Sequence, residues 1–389
     1  MRWNGCVRIA FCIFKYFPFG GIQRDLVKFA EECTRRGHDV RIYVCKCLEP
    51  LPEGLDVRVA PVSALFNHTL YDRFAGWVAD QEAAEPSDLV VGMNKMRGLD
   101  VYYAGDSCYE HKARTQRGFL YRLSGRYRSF RNAERAVFET GSRTEILTIS
   151  DIHTPHFRRY YGTAPDRFHR LPPGIERDRA APRDAGTRRE LRAAKRRELG
   201  HVDSDLVLLF LGSGFIKKGL DRAMLAVKSL PPEVYERLTL YVIGKDKAEP
   251  FRRLAARLGI HDRVVFYENG RSDIPELLWM ADGLVLPAYD EAAGMVILES
   301  MIAGLPALVT QNCGYAHYLA DAGAGIVSAT PFDQETFNQK LQRLLTSDER
   351  EAWAEAGRRF AENDAIYELV PTAVDHFEHF AEARQGYSG

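Results

Sequence analysis

The chain has 389 residues, more than one domain of ordinary size holds, with 46% hydrophobic and 27% charged residues. That balance excludes intrinsic disorder, a collagen-like chain and a disulfide scaffold. Lys plus Arg and Asp plus Glu both number 53, so the net charge is zero. A globally basic nucleic-acid binder is excluded, and any anionic partner requires a local patch.

The seven cysteines (Cys6, Cys12, Cys33, Cys45, Cys47, Cys108 and Cys313) are odd in number and contain no Cys-x-x-Cys. Neither a disulfide framework nor a common zinc site is suggested, and a reducing compartment fits. The longest apolar runs, such as 9–14 and 206–211, have six residues, against about 20 for a membrane-spanning helix. The first run lies between Arg8 and Lys15 and lacks a small-residue cleavage site, so it reads as a buried strand rather than a signal peptide. A cytoplasmic soluble protein is expected.

In chain order, a strand over 8–14 leads through Lys15-Tyr-Phe-Pro-Phe-Gly-Gly21 into a helix over 22–36. Its Ile22, Leu26, Phe29, Ala30 and Cys33 recur at helical spacing before Gly37. Strands follow over 40–45, 57–60, 89–92, 101–104 and 146–149, with a long arginine-rich helical region between the last two. Leu171-Pro-Pro-Gly174 breaks the pattern as a stiff connector, and a charged stretch runs to Gly200. The second series has strands over 206–211, 238–243, 264–266, 284–286 and 307–310. Helices over 220–230, 249–258, 274–280 and 295–303 alternate with them, and the end is helical from about 334 to 383. This predicts an α/β protein of two doubly wound Rossmann-like domains facing each other across a cleft, 1–171 and 172–366. A C-terminal helix over about 367–389 is expected to pack back on the first. Ligands of such sheets sit at the carboxyl ends of the strands.

Two of these loops carry chemistry. Gly212-Ser-Gly-Phe-Ile-Lys-Lys-Gly219 precedes a helix, so close backbone approach, free N–H groups and Lys217 and Lys218 suit a diphosphate. The alternative is a plain turn with two solvated lysines; the spacing is not that of a P-loop. Pro287-Ala-Tyr-Asp-Glu-Ala-Ala-Gly294 carries Glu291 just before a helix. Glu299 then falls inside the apolar run Met295-Val-Ile-Leu-Glu-Ser-Met-Ile302. A half-buried carboxylate there needs donors, which a ribose diol supplies; otherwise it is a solvent-facing glutamate.

Glu291-x7-Glu299, with Lys218-Gly219 upstream and Gly304-Leu-Pro306 downstream, resembles the retaining GT-B glycosyltransferases of family GT4. Phe14-Lys-Tyr-Phe-Pro-Phe-Gly-Gly-Ile-Gln-Arg-Asp25, Asn94-Lys-Met-Arg-Gly-Leu-Asp-Val-Tyr103, Leu171-Pro-Pro-Gly-Ile175 and Cys313-Gly-Tyr-Ala-His317 extend the likeness over nearly the whole chain. They resemble the lipopolysaccharide-core glucosyltransferases, hexosyltransferases that move glucose from UDP-glucose to an inner-core heptose. The resemblance implies that Lys218 binds the diphosphate and Glu299 the ribose. It has Glu291 hold the donor sugar, with backbone N–H groups of Ala292, Ala293 and Gly294. Gly20 and Gly21 of the acceptor-side domain would approach the donor. Ser213 stands where the family commonly has Arg, so Lys217 or, preferably, Arg179 supplies the second cation. Asp106 would lie near sugar and acceptor, although Asp106 or Ser107 also reads as a helix cap, with Ser107-x-x-Glu110 matching a capping box. Asp25 reads as a first-turn carboxylate. His153/His156 and His376/His379 lack a third ligand and read as surface pairs.

No cofactor and no Asp-x-Asp metal site are expected, lysine and helix dipoles replacing a divalent ion at the leaving phosphate. Other readings are a GT4 transferase with another donor or lipid acceptor, a GT-B epimerase, or a binding protein without turnover. Residues 111–135 hold eight cations (Lys112, Arg114, Arg117, Arg122, Arg126, Arg128, Arg131 and Arg135) and one acid, Glu134. Phe119, Leu123, Tyr127 and Phe130 recur at helical spacing, with Tyr121 among the cations. This predicts reversible peripheral attachment to an anionic membrane surface; the resemblance implies that this surface is the cytoplasmic face of the inner membrane, where the lipid-linked core oligosaccharide acceptor grows. The alternative is a core-facing stripe with solvated or phosphate-binding arginines.

Overall fold

The computed structural model describes residues 5–18, 20–268 and 271–386. The chain divides into two compact units: residues up to Pro172 together with those from Glu368, and Pro173–Tyr367.

The first unit carries β1 (Arg8–Tyr16), β2 (Asp39–Cys47), β3 (Asp56–Val59), β4 (Leu89–Gly92), β5 (Val101–Ala104), β6 (Glu145–Thr148) and β7 (Phe168–Arg170). They form one sheet in the order β3-β2-β1-β4-β5-β6-β7, with every pairing parallel. Parallel strands are covered on both faces and therefore read as unbroken apolar runs; residues 9–13 of β1 are all buried. The order reverses between β1 and β4, so the loops after these strands flank the crevice where such sheets bind ligands. The terminal helix Leu369–Gly386 belongs to this unit. Its Phe377 meets Phe11 and Phe29 edge-on, at centroid distances of 5.7 and 5.8 Å.

The second unit carries β8 (Leu206–Leu211), β9 (Leu238–Ile243), β10 (Val264–Tyr267), β11 (Gly283–Leu286), β12 (Ala307–Thr310) and β13 (Gly325–Ser328). Its sheet, also wholly parallel, runs β10-β9-β8-β11-β12-β13. The reversal falls between β8 and β11, which puts the 212–219 and 287–294 loops side by side at their carboxyl ends.

Several elements depart from the sequence reading. The long arginine-rich helical region consists of three pieces: Tyr109–Thr115, a 3-10 turn Phe119–Leu123, and Gly125–Phe138. Gly118 is extended, and Ser124 caps the last piece by accepting from Tyr127 N, so the backbone restarts twice. Phe119 and Leu123 therefore leave the stripe and stand exposed, while Tyr127 is buried. The helix Asn67–Ala84 had no counterpart in the reading, although Leu70, Phe74 and Val78 form its buried face. The charged stretch before Gly200 contains the helix Ala185–Glu198, capped by Asp184. The C-terminal helical region is three helices, Gln334–Thr346, Arg350–Phe360 and Leu369–Gly386.

Candidate active site

The β8 loop ends in Lys218-Gly219. Gly219 has φ +77°, and a Cβ there would lie 2.1 Å from the Pro287 carbonyl oxygen. Only glycine allows the two loops to approach so closely. The neighbouring Lys218 reaches across and donates from Nζ to Glu291 Oε2 at 2.7 Å, both side chains being largely shielded. Burial alone pushes the Glu291 carboxyl upward, but the Lys218 ammonium, aided by Lys217, holds it below the ordinary carboxylate range. Lys217 itself is exposed.

Glu291 is held by its backbone, with its N–H donating to Asn312 O and its carbonyl accepting from Gly314 N. Ala293 O accepts from Tyr315 N, which gives the Cys313-Gly-Tyr-Ala-His317 segment a structural role beneath the loop. Gly294, with φ +84°, turns the chain into the helix Met295–Ile302. Burial pushes the Cys313 thiol up to about 12, so it offers no thiolate nucleophile. Glu299 lies on that helix with its side chain 16% exposed, and Arg179 Nε stands 4.0 Å from its Oε1. Arg179 is also 3.6 Å from Asp178, so its charge faces these two carboxylates.

The N–H groups of the glycine-rich turn are not all available to an anion. Gly214 N and Phe215 N donate to Asp246 Oδ2 at 2.5 and 2.6 Å. Lys218 N and Gly219 N bond to Gly214 O and Ile216 O. The expected N–H cradle is therefore largely used internally, and the cations of this loop are the side chains of exposed Lys217 and of Lys218, which is paired with Glu291. Ser213 accepts from Lys245 N at 2.9 Å and so ties the loop to the one after β9. Asp246 was missed; its only signal was an acid three residues after an apolar strand.

In the first unit, Gly20 is the N-cap of the helix Gly21–Arg35. A Cβ on Gly20 would overlap Gln23 and the Phe17 ring, whereas one on Gly21 would meet nothing. Asp106 is exposed in the bend after β5. The capping alternative is overturned: the helix Tyr109–Thr115 has no side-chain cap from Asp106, Ser107 or Cys108. Its first N–H groups, of Tyr109 and Glu110, donate instead to the fully buried Glu134 at 2.7 and 2.9 Å. Lys95 Nζ joins Glu134 Oε1 to Ser107 O, each at 2.7 Å. Asp25 accepts from the Tyr103 hydroxyl at 2.7 Å, more than a helix-dipole role. His156 stacks on His111 with centroids 3.6 Å apart.

Among the described residues, no group of three or more His, Cys, Asp or Glu side chains is placed to hold a metal ion. An Asp-x-Asp triplet does occur, Asp203-Ser-Asp205, contrary to the sequence reading. It precedes β8 at the amino end of the sheet, where Asp205 accepts from Val202 N and faces His201.

Each of the two units is thus built on a wholly parallel sheet, and a lysine and a glutamate pair at the switch point of the second. The family described as "Glycosyl transferases group 1" matches residues 192–360, and the chain belongs to this family. Within it, the chain is 44% identical over 368 residues to "Lipopolysaccharide glucosyltransferase WaaG" of Escherichia coli (strain K12), covering 94% of this chain and 97% of that one. The "Crystal Structure of WaaG, a glycosyltransferase involved in lipopolysaccharide biosynthesis" superposes with a TM-score of 0.87 at 43% identity, covering 94% and 98% of the two chains. A "D-inositol 3-phosphate glycosyltransferase" of Stackebrandtia nassauensis is 29% identical over 246 residues, 61% of this chain and 52% of that one.

Proposed function

We propose that this glycosyltransferase moves glucose from UDP-glucose to an inner-core heptose of lipopolysaccharide, with retention and without a metal ion. The observation that carries the chemistry is the 2.7 Å Lys218–Glu291 pair at the β8/β11 switch point; the 44% identity to WaaG supports the substrates. On this reading Lys218 stabilises charge growing on the leaving phosphate as the anomeric carbon becomes oxocarbenium-like. Lys217 and Arg179 add positive potential. Glu291 and the 292–294 backbone receive the sugar, Glu299 binds the ribose diol, and Gly20, Gly21 and Asp106 serve the donor and acceptor. The leaving phosphate accepts the acceptor's proton during attack on the same face. Incubation with radiolabelled UDP-glucose and truncated lipopolysaccharide, with and without EDTA, tests it. Labelled lipid in both arms is expected; label confined to free sugar, or transfer abolished by EDTA and restored by magnesium, sinks the corresponding part.

The same reading places the enzyme on the cytoplasmic face of the inner membrane. No helix among the described residues is long and apolar enough to cross a bilayer. Phe119, Leu120 and Leu123 are 68%, 77% and 64% exposed, so the turn offers apolar side chains to an interface. Arg117, Arg122 and Arg126 lie over Tyr121, Phe119 and Phe130. Arg114 and Arg131 face Glu110, and Arg135 faces Glu139, so these three contribute less to the patch than Arg117, Arg122, Arg126 and Arg128.

A further inference from the structure

The loops bearing Lys218 and Glu291 leave from neighbouring strands, β8 and β11, which pair at Leu208 with Gly283 and at Leu209 with Leu284. Those pairs lie well back from the reacting groups, so something nearer must set the separation of the two loops. Arg222 stands one turn beyond Lys218 on the helix Leu220–Lys228. Its guanidinium lies 3.5 Å from the centroid of the Tyr289 ring and 3.8 Å from that of Phe332. Nη1 donates to Pro287 O at 3.2 Å and to Ala288 O at 3.4 Å, both in the Glu291 loop. Two further bonds join the same segments: Tyr289 N donates to Lys217 O at 2.9 Å, and the Tyr289 hydroxyl donates to Asp221 Oδ2 at 2.7 Å.

We propose that Arg222 is a positioning residue of the transfer reaction: held between Tyr289 and Phe332 and bonded to the 287–288 carbonyls, it fixes the Lys218 loop against the Glu291 loop. The inference rests on the reading that these two groups receive the phosphate and sugar ends of the donor. A planar, delocalised cation stacks on aromatic faces while its edge donates, which a lysine ammonium does not reproduce. Reaction requires both ends of the sugar diphosphate to be aligned together, whereas UDP alone needs no alignment with Glu291. Loosening the clamp should therefore reduce turnover more than nucleotide binding.

The test compares Arg222→Ala and Arg222→Lys with wild type in steady-state kinetics with UDP-glucose, calorimetry with UDP, and thermal melting. Arg222→Ala should lose roughly 10- to 100-fold in kcat, the scale of a small misplacement of reacting groups. UDP affinity and melting should stay near wild type, Arg222→Lys should remain impaired, and added methylguanidinium should restore part of the Ala variant's kcat. Unchanged kcat would overturn the proposal. So would parallel losses of kcat, UDP affinity and melting with no rescue, which describe a scaffold contact. Should the Ala variant fail to fold, Phe332→Leu removes one face of the clamp and should lower kcat while sparing UDP affinity. Full kcat in Lys218→Ala would instead sink the donor-site reading itself, whatever Arg222 does.

Discussion

At the scale of single residues, Lys218 and Glu291 are interdependent. Replacing Lys218 by Ala removes the cation proposed for the leaving phosphate and should raise the barrier by about 3–4 kcal/mol, seen mainly in kcat. It also strips Glu291 of its counter-charge, so burial then dominates and the carboxyl titrates higher. The acidic limb of the kcat–pH profile should move to higher pH in the variant; a change confined to KM would remove the transition-state role. Glu299→Gln is expected to weaken UDP binding, because an amide keeps only one acceptor oxygen for a diol. Calorimetry with UDP measures this, and unaltered affinity in a folded variant would return Glu299 to its ion pair with Arg179.

At the scale of elements, Glu134 links four segments. It lies on Gly125–Phe138, caps Tyr109–Thr115 and pairs with Lys95 from the turn after β4. The Tyr161 hydroxyl donates to its other oxygen at 2.7 Å. Burial raises its carboxyl, but Lys95 and the two backbone N–H groups hold it below the ordinary glutamate range. A depressed carboxyl contributes stability above its unfolded pKa of about 4.3 and loses it as pH falls through the folded value. Glu134→Leu leaves Lys95 buried without its carboxylate and should cost about 3–5 kcal/mol in denaturant unfolding; a loss below 1 kcal/mol would mean the hub contributes little. The terminal helix gives a parallel case through packing alone. Phe377→Ala opens a cavity beside Phe11 and Phe29 and should destabilise the first unit by about 3–5 kcal/mol. Unfolding followed by probes in each unit should show the first unit's transition shifting and the second's unchanged.

At the scale of the whole molecule, zero net charge coexists with a concentrated basic segment. Near an anionic leaflet each basic residue contributes about 1 kcal/mol. Replacing Arg117, Arg122, Arg126 and Arg128 together by Gln should therefore weaken vesicle binding by on the order of 10³-fold. Co-sedimentation with anionic and neutral vesicles at low and high salt is the check. Binding that ignores lipid charge, or persists in the quadruple variant, would sink membrane attachment through this face.

The two α/β series, the switch-point loops and the pairing of Glu291 with Glu299 on one loop–helix were legible because they depend on local pattern. Parallel strands announce themselves as apolar runs, and glycine, proline and acid spacing marks the loops between them. What the sequence could not disclose was which distant groups meet. Asp246 takes the N–H groups of the glycine-rich turn from a neighbouring strand's loop, 32 residues away in the chain. Glu134 caps a helix that begins 25 residues before it. Arg222 meets Tyr289 only because β8 and β11 are adjacent in the sheet, and it meets Phe332 from beyond β13, more than 100 residues along the chain. The apolar spacing of Phe119, Leu123, Tyr127 and Phe130 in the arginine-rich region did not disclose its breaks, because Gly118 and the Ser124 cap restart the backbone there. Local propensity and burial pattern act over a few residues and can be read in order. Hydrogen-bond satisfaction and charge pairing in the interior depend on the sheet order, which only the folded chain decides.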